Sequence, residues 1–138
     1  MEKVDHIGIA VKNLDESVKY YTEVLGLKLE RIEEVPTQNV RVAFIDAGNV
    51  HIELLQPLSE EGAIYNHIQK RGEGIQHICF KVENIREKMA ELKEKGVRLL
   101  SEEPIPAAGG AEACFIHPKD SFGVLYELYE KNGKGVNE

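Results

Sequence analysis

The sequence predicts an α+β fold: two tandem β-α-β-β-β modules forming one curved, incompletely closed eight-stranded sheet with helices outside, within a single domain of residues 1–138. Three observations predict it. The segment Asp5-His6-Ile7-Gly8-Ile9-Ala10-Val11-Lys12-Asn13-Leu14 recurs as Gln76-His77-Ile78-Cys79-Phe80-Lys81-Val82-Glu83-Asn84-Ile85, 71 residues on (6 to 77). Each copy closes on an apolar run interrupted by one acid, His51-Ile52-Glu53-Leu54-Leu55 and Leu125-Tyr126-Glu127-Leu128-Tyr129, 74 residues apart (53 to 127). Between these landmarks the hydrophobic period switches from strand to helix and back in the same order. A module of this length cannot bury a full core alone, so pairing two into one sheet is the economical solution.

The elements follow in order. Residues 3–11 alternate around β-branched residues and read as a strand, with His6, Gly8 and Ala10 on one face and Ile7, Ile9 and Val11 on the other. The small residues beside His6 leave space in front of it. A helix runs from Asn13 to about Leu25, with Leu14, Val18, Tyr21 and Leu25 at helical spacing and Gly26 as its stop. Strands are expected at 27–34, 40–47 and 50–57, broken near Pro36 and at Gly48-Asn49. Residues 58–72 read as a connecting helix with Ser59 as N-cap, so the modules run over about 3–57 and 75–130. The second module repeats the order: strand 75–83, helix 84–95 stopped by Gly96, and strands near 97–102, 111–117 and 122–130. Residues Pro104–Gly110 read as an irregular, glycine-containing loop and the tail 131–138 as frayed.

Composition bounds the function. The chain has 42% hydrophobic and 30% charged residues and a net charge of −7, ordinary for a globular protein. The acidic balance argues against nucleic acid and anionic membrane as partners. No apolar run nears the ~20 residues of a membrane span, and the N-terminus enters a strand at once, leaving no room for a signal peptide. Cys79 and Cys114 lie in apolar strands, where reduced, buried thiols are expected. A cytoplasmic protein is the expectation.

The chemistry lies in four residues. His6 and His77 face away from the apolar sets of their strands, and Glu53 and Glu127 away from theirs. An acid inside a hydrophobic strand is costly unless paired or metal-bound. A single His or Glu in a strand reads as a hydrogen-bonded or solvated structural residue; four placed by an internal repeat read as a divalent-metal site. Two imidazoles and two carboxylates suit a first-row divalent ion or zinc. His51 shares a strand face with Glu53, His67 reads as a helix-surface residue, and His117, at a strand end, is a candidate ligand contact.

These residues, with Pro36-Thr37-Gln38-Asn39-Val40, Gly72-Glu73-Gly74-Ile75-Gln76-His77 and His117-Pro118-Lys119-Asp120, resemble the vicinal oxygen chelate (glyoxalase-like) superfamily and, within it, the methylmalonyl-CoA epimerase family, over about residues 4–130. The resemblance implies a metal-dependent isomerase interconverting the 2R and 2S forms of methylmalonyl-CoA by proton transfer at C2 through a metal-stabilised enolate. It implies one divalent ion per chain (Co, Mn, Mg, Ni or Zn) on His6, His77 and Glu127, an acyl-CoA thioester as small-molecule substrate, and a homodimer. At the fourth ligand position the family often carries Gln; here it is Glu53, the ligand type of glyoxalase I. Some family members carry an acid after the Gln-x-Val segment, where this chain has Arg41-Val42-Ala43, so their two-base arrangement does not transfer whole. Glu127 is the candidate base; Glu53, a bound water or another side chain is left for the opposite face. Gln38 and His117 are candidate substrate contacts. Glyoxalase I or another metal-dependent lyase or isomerase of the superfamily is the alternative enzyme. A small-molecule binding protein on the same fold is the non-enzyme alternative. A ring-cleaving dioxygenase needs only two His and one carboxylate, so the additional Glu53 counts against it.

Overall fold

The computed structural model describes residue 1 and residues 3–131. The tail expected to fray lies, beyond residue 131, outside the described residues. The chain divides into two compact units, His6–Gln76 and a second comprising residues 1–5 with those from His77 onward.

In the first module the strands are β1 (Lys3–Ala10), β2 (Lys28–Val35), β3 (Val40–Asp46) and β4 (His51–Pro57), hydrogen-bonded in the order β2-β3-β4-β1. β1 and β4 are parallel, and β2-β3 and β3-β4 antiparallel. Helix α1 (Leu14–Lys19) starts at Asn13, whose side chain accepts from Glu16 N. It runs into a π-helical turn, Tyr20–Val24. Its core joins Val11, Leu14, Ala43, Ile45 and Leu54, so α1 covers the sheet face opposite His6 and Glu53. Helix α2 (Ala63–Arg71) anchors through buried Ile64 and Ile68.

The second module repeats this with β5 (Gly74–Lys81), α3 (Ile85–Glu94), β6 (Ile105–Pro106), β7 (Glu112–Ile116) and β8 (Tyr126–Glu130), in the order β5-β8-β7-β6. Its core joins Val82, Ile85, Met89, Cys114, Ile116 and Leu128. The repeat extends to single hydrogen bonds. Asn84 caps α3 by accepting from Glu87 N, as Asn13 caps α1. Leu14 N donates to Gln56 Oε1 at 2.6 Å, and Ile85 N to Glu130 Oε1 at 2.7 Å. Val11 N meets Leu55 O, and Val82 N meets Tyr129 O, both at 2.9 Å.

Three expectations are corrected. The connecting helix begins at Ala63, not 58, and Gly62 rather than Ser59 precedes it. The Ser59 hydroxyl instead accepts from Asn39 Nδ2 at 2.9 Å, while the same amide donates to Glu61 O at 2.7 Å. Residues 97–102 do not form a strand: one bridge, Leu99 to Ile116, survives there. Ser101 Oγ turns back to Glu103 O at 2.7 Å and Pro104 follows, which ends the ladder. The short β6 lies instead within the loop expected to be irregular. The last strand starts at Tyr126, because residues 118–124 form a turn.

The modules also differ in length at three places, one of them a compensating residue between Gly26 and Gln38. From Asn13 to Gly26 the chain is one residue longer than from Asn84 to Gly96, and the π turn takes up that residue. From His117 to Leu125 it is three residues longer than from Asp46 to His51. This three-residue insertion changes the repeat interval from 71 to 74.

Candidate metal centre

Each module builds one histidine–carboxylate pair by the same register. On β1 and β4, Gly8 lies opposite Glu53; on β5 and β8, Cys79 lies opposite Glu127. Gly8 and Cys79 each stand two residues after their His, and alternate residues share a face. The carboxylate therefore emerges beside the imidazole, over a small neighbour. His6 Nδ1 lies 3.1 Å from Glu53 Oε2. His77 Nε2 lies 3.0 Å from Glu127 Oε1. All four are buried, with 3% (His6), 9% (Glu53), 6% (His77) and 4% (Glu127) of their surface exposed.

The antiparallel neighbour of each acid is a phenylalanine: Phe44 beside Glu53 and Phe115 beside Glu127. The Phe115 ring meets His77 edge-on, with centroids 6.0 Å apart. These aromatic walls went unread in the sequence, though the 71-residue interval between Phe44 and Phe115 carries the signal. On β7, burial and the nearby Glu127 charge push the Cys114 thiol up to about 11, so it is inert as a nucleophile. Both cysteines are free and buried, as expected.

The remaining candidates lie in loops. Gln38 ends a single 3₁₀ turn, Pro36–Gln38, and is half-buried. Asn39, which follows, is left-handed with φ 54°. It is tied at four points: Asn39 N to Pro36 O and Leu58 N to Asn39 O, each 3.0 Å, and the two amide bonds to Ser59 and Glu61. Asn39 therefore fixes the backbone that carries Gln38. An asparagine after a Pro-initiated turn was its legible signal. His117 caps another 3₁₀ turn, Pro118–Ser121, its Nδ1 accepting from Lys119 N at 3.1 Å. Arg98 clamps that turn, with its guanidinium on both Asp120 oxygens at 3.1 and 2.9 Å and its backbone N–H on Asp120 Oδ2 at 2.7 Å. The clamp holds the Asp120 carboxyl down to about 2. His51 bonds Glu30 through Nε2 at 3.0 Å; Glu30 is the residue bulged out of the β2–β3 ladder between Leu29 and Arg31. At the positions Arg41-Val42-Ala43 the structure has the interior of β3, with Val42 and Ala43 buried.

The sequence matches the model of the Glyoxalase/Bleomycin resistance protein/Dioxygenase superfamily over residues 5–115, and the chain is a member of that superfamily. It is 40% identical over 128 residues to an ethylmalonyl-CoA/methylmalonyl-CoA epimerase of Cereibacter sphaeroides, covering 91% of this chain and 96% of the relative. A crystal structure of methylmalonyl-CoA epimerase from Mycobacterium tuberculosis matches with TM-score 0.91 and 36% identity over 96% of this chain and 89% of that one. Another methylmalonyl-CoA epimerase, solved in complex with methylmalonyl-CoA and NH4+, matches with TM-score 0.91 and 35% identity over 96% of each chain. The chain belongs to the methylmalonyl-CoA epimerase family, a family of isomerases, and shares the fold of its solved members.

Proposed function

We propose that the protein interconverts the 2R and 2S forms of methylmalonyl-CoA by proton transfer at C2 through an enolate. Within one domain of residues 1–138, His6, Glu53, His77 and Glu127 would hold a single divalent ion. The observation that carries it is the duplicated buried pair, His6–Glu53 at 3.1 Å and His77–Glu127 at 3.0 Å. The donor set fits a divalent ion. Two imidazoles and two carboxylates are borderline-hard ligands, and the two negative charges balance the ion. A buried carboxylate is costly unless its charge is offset, and an ion offsets two at once.

Bound there, the ion supplies Lewis-acid stabilisation of the charge that develops on the thioester oxygen. The protein's own groups do the rest. Glu127 takes the C2 proton, and Glu53, from the other module, serves the opposite face. Gln38, on its Asn39-fixed turn, donates to the substrate carboxylate. His117 holds Nδ1 as an acceptor, which leaves Nε2–H as its donor toward the thioester. A small-molecule acyl-CoA substrate agrees with the family's solved complex. Among the described residues no helix is long and apolar enough to cross a membrane. A cytoplasmic setting, supported by the two free thiols, and a homodimer through sheet edges or helices complete the reading; sedimentation at micromolar concentration tests the dimer.

The decisive experiment is proton–deuterium exchange at C2 of each methylmalonyl-CoA epimer, before and after chelation and with Co, Mn, Mg, Ni or Zn restored. Exchange of both epimers, lost on chelation, is expected. Glu127→Gln should lose at least ~100-fold, the scale for a positioned acid/base. A metal-loaded wild-type protein that exchanges neither epimer overturns the activity. A metal-loaded Glu127→Gln that exchanges both at wild-type rates overturns the role of Glu127.

A further inference from the structure

The three-residue insertion of the second module builds the turn Pro118–Val124, and its tip is Phe122. This ring is fully exposed, at 101% of its reference surface, and its backbone is left-handed with φ 56°. Both properties oppose folding: an apolar ring gains nothing in water, and a residue with a Cβ is strained at positive φ. Yet the turn is closed by hydrogen bonds. His117 N donates to Arg98 O, Asp120 N to His117 O and Gly123 N to Pro118 O, at 2.9, 2.9 and 2.8 Å. The Arg98–Asp120 clamp pins its middle. The exposed ring is thus carried on a strained backbone that a hydrogen-bonded turn maintains, and such outliers point to function. The turn also carries Lys119, exposed and without an ion pair among the described residues, in a chain of net charge −7.

We propose that this turn reads the nucleotide end of the coenzyme A thioester, with the Phe122 ring stacked on the adenine base and the Lys119 ammonium on a phosphate. The assignment rests on the acyl-CoA reading above. An aromatic face with an adjacent cation is the pairing that a nucleotide requires, because every base offers a π-face and every phosphate a negative charge. Phe122 stands five residues before Glu127, a chain reach of at most about 17 Å. The pantetheine arm that separates thioester from nucleotide bridges a span of that order. The turn also resolves how an acidic protein accepts a polyanionic substrate: one unpaired cation beside a stacking surface serves in place of a basic patch.

The test compares methylmalonyl-CoA with methylmalonyl-pantetheine, the same thioester without the nucleotide. Phe122→Asn removes the ring and keeps a residue that tolerates positive φ; Phe122→Trp keeps a stacking face. Phe122→Asn should raise KM for methylmalonyl-CoA about tenfold, leave kcat unchanged, and leave both constants for methylmalonyl-pantetheine as in wild type. Phe122→Trp should restore KM. Lys119→Ala should raise KM for methylmalonyl-CoA and flatten its salt dependence. The melting temperature of Phe122→Asn should equal or exceed that of wild type. Equal effects on the two thioesters, or a change in sedimentation without a change in KM, overturns the assignment. Calorimetric binding of coenzyme A itself separates it from the reaction. If Phe122→Asn weakens that binding while wild type exchanges neither thioester, only the epimerase reading falls. If wild type turns over and the variant binds coenzyme A as tightly, only the turn assignment falls.

Discussion

Substituting His77 separates a metal site from an ordinary buried ion pair. Glu127 is 4% exposed, and its Oε1 lies 3.0 Å from His77 Nε2. His77→Ala takes the imidazole away from a carboxylate whose register neighbours are Cys79 and Phe115. Removing one partner of a buried pair costs about 3–5 kcal/mol. For a chain of 138 residues, at roughly 3–5 °C per kcal/mol, the metal-free variant should melt ~10–20 °C below metal-free wild type. Glu127→Gln removes the charge but keeps an amide beside the imidazole, so its metal-free form should melt within ~5 °C of wild type. A divalent ion at a hundred times its dissociation constant adds about 2.7 kcal/mol, or roughly 8–14 °C, to wild type. Both variants should lose most of that gain. Circular-dichroism melts of chelated and metal-restored protein, with metal content measured on the same samples, give all six values. If metal-free His77→Ala melts within ~3 °C of wild type, no buried charge depends on His77. If Glu127→Gln keeps the full metal-induced rise, Glu127 is not a ligand.

The duplicated caps make a second prediction. Asn13→Ala and Asn84→Ala each remove a side-chain acceptor from a helix start, Glu16 N and Glu87 N respectively. Each should cost about 1 kcal/mol in denaturant unfolding; a several-fold inequality would show that the two starts are not equivalent. The Arg98–Asp120 clamp predicts a pH dependence. Arg98 holds the Asp120 carboxyl at about 2, below its ordinary 3.8, so its stabilisation is present above about pH 4 and lost as pH falls toward 2. Asp120→Asn should therefore melt below wild type at pH 7, with the gap closing between pH 4 and pH 2. A gap independent of pH would show that the clamp acts through shape rather than charge.

The candidate site was legible because its signals are local and doubled. The period-2 alternation around His6, His77, Glu53 and Glu127 states which face each occupies, and the parallel register then sets each acid beside its imidazole. What escaped depends on contacts between distant segments. Alternation at 97–102 predicts a strand, but the ladder breaks where Ser101 turns back to Glu103 and Pro104 removes a donor. Ser59 has the chemistry of an N-cap, yet Asn39, twenty residues earlier, takes its hydroxyl. The helix pattern across Leu14, Val18, Tyr21 and Leu25 runs on through a π turn that periodicity does not register. Phe122 reads as an alternating strand residue until the length of the second module is compared with the first.

That comparison divides the molecule into what both copies keep and what only one has. Both keep an imidazole, a small residue two positions on, a carboxylate and a flanking phenylalanine. On the reading proposed above, this is the equipment for holding an ion, to which the two copies offer the same pair of ligand types. Methylmalonyl-CoA is a different kind of guest, with a carboxylate at one end and a nucleotide at the other. Two equivalent copies cannot distinguish those ends, so the features that read them must be unpaired between the copies. The structure holds such features. The left-handed Asn39 that fixes Gln38 has Gly110 (φ 76°) at its counterpart position, and Gln38 itself faces Gly109 in the comparison, which has no side chain to offer. The turn that bears Lys119 and Phe122 has only the short Asp46–His51 connection opposite it in the alignment of the copies. In this reading substrate recognition follows from the failures of the repeat, and metal binding from its success.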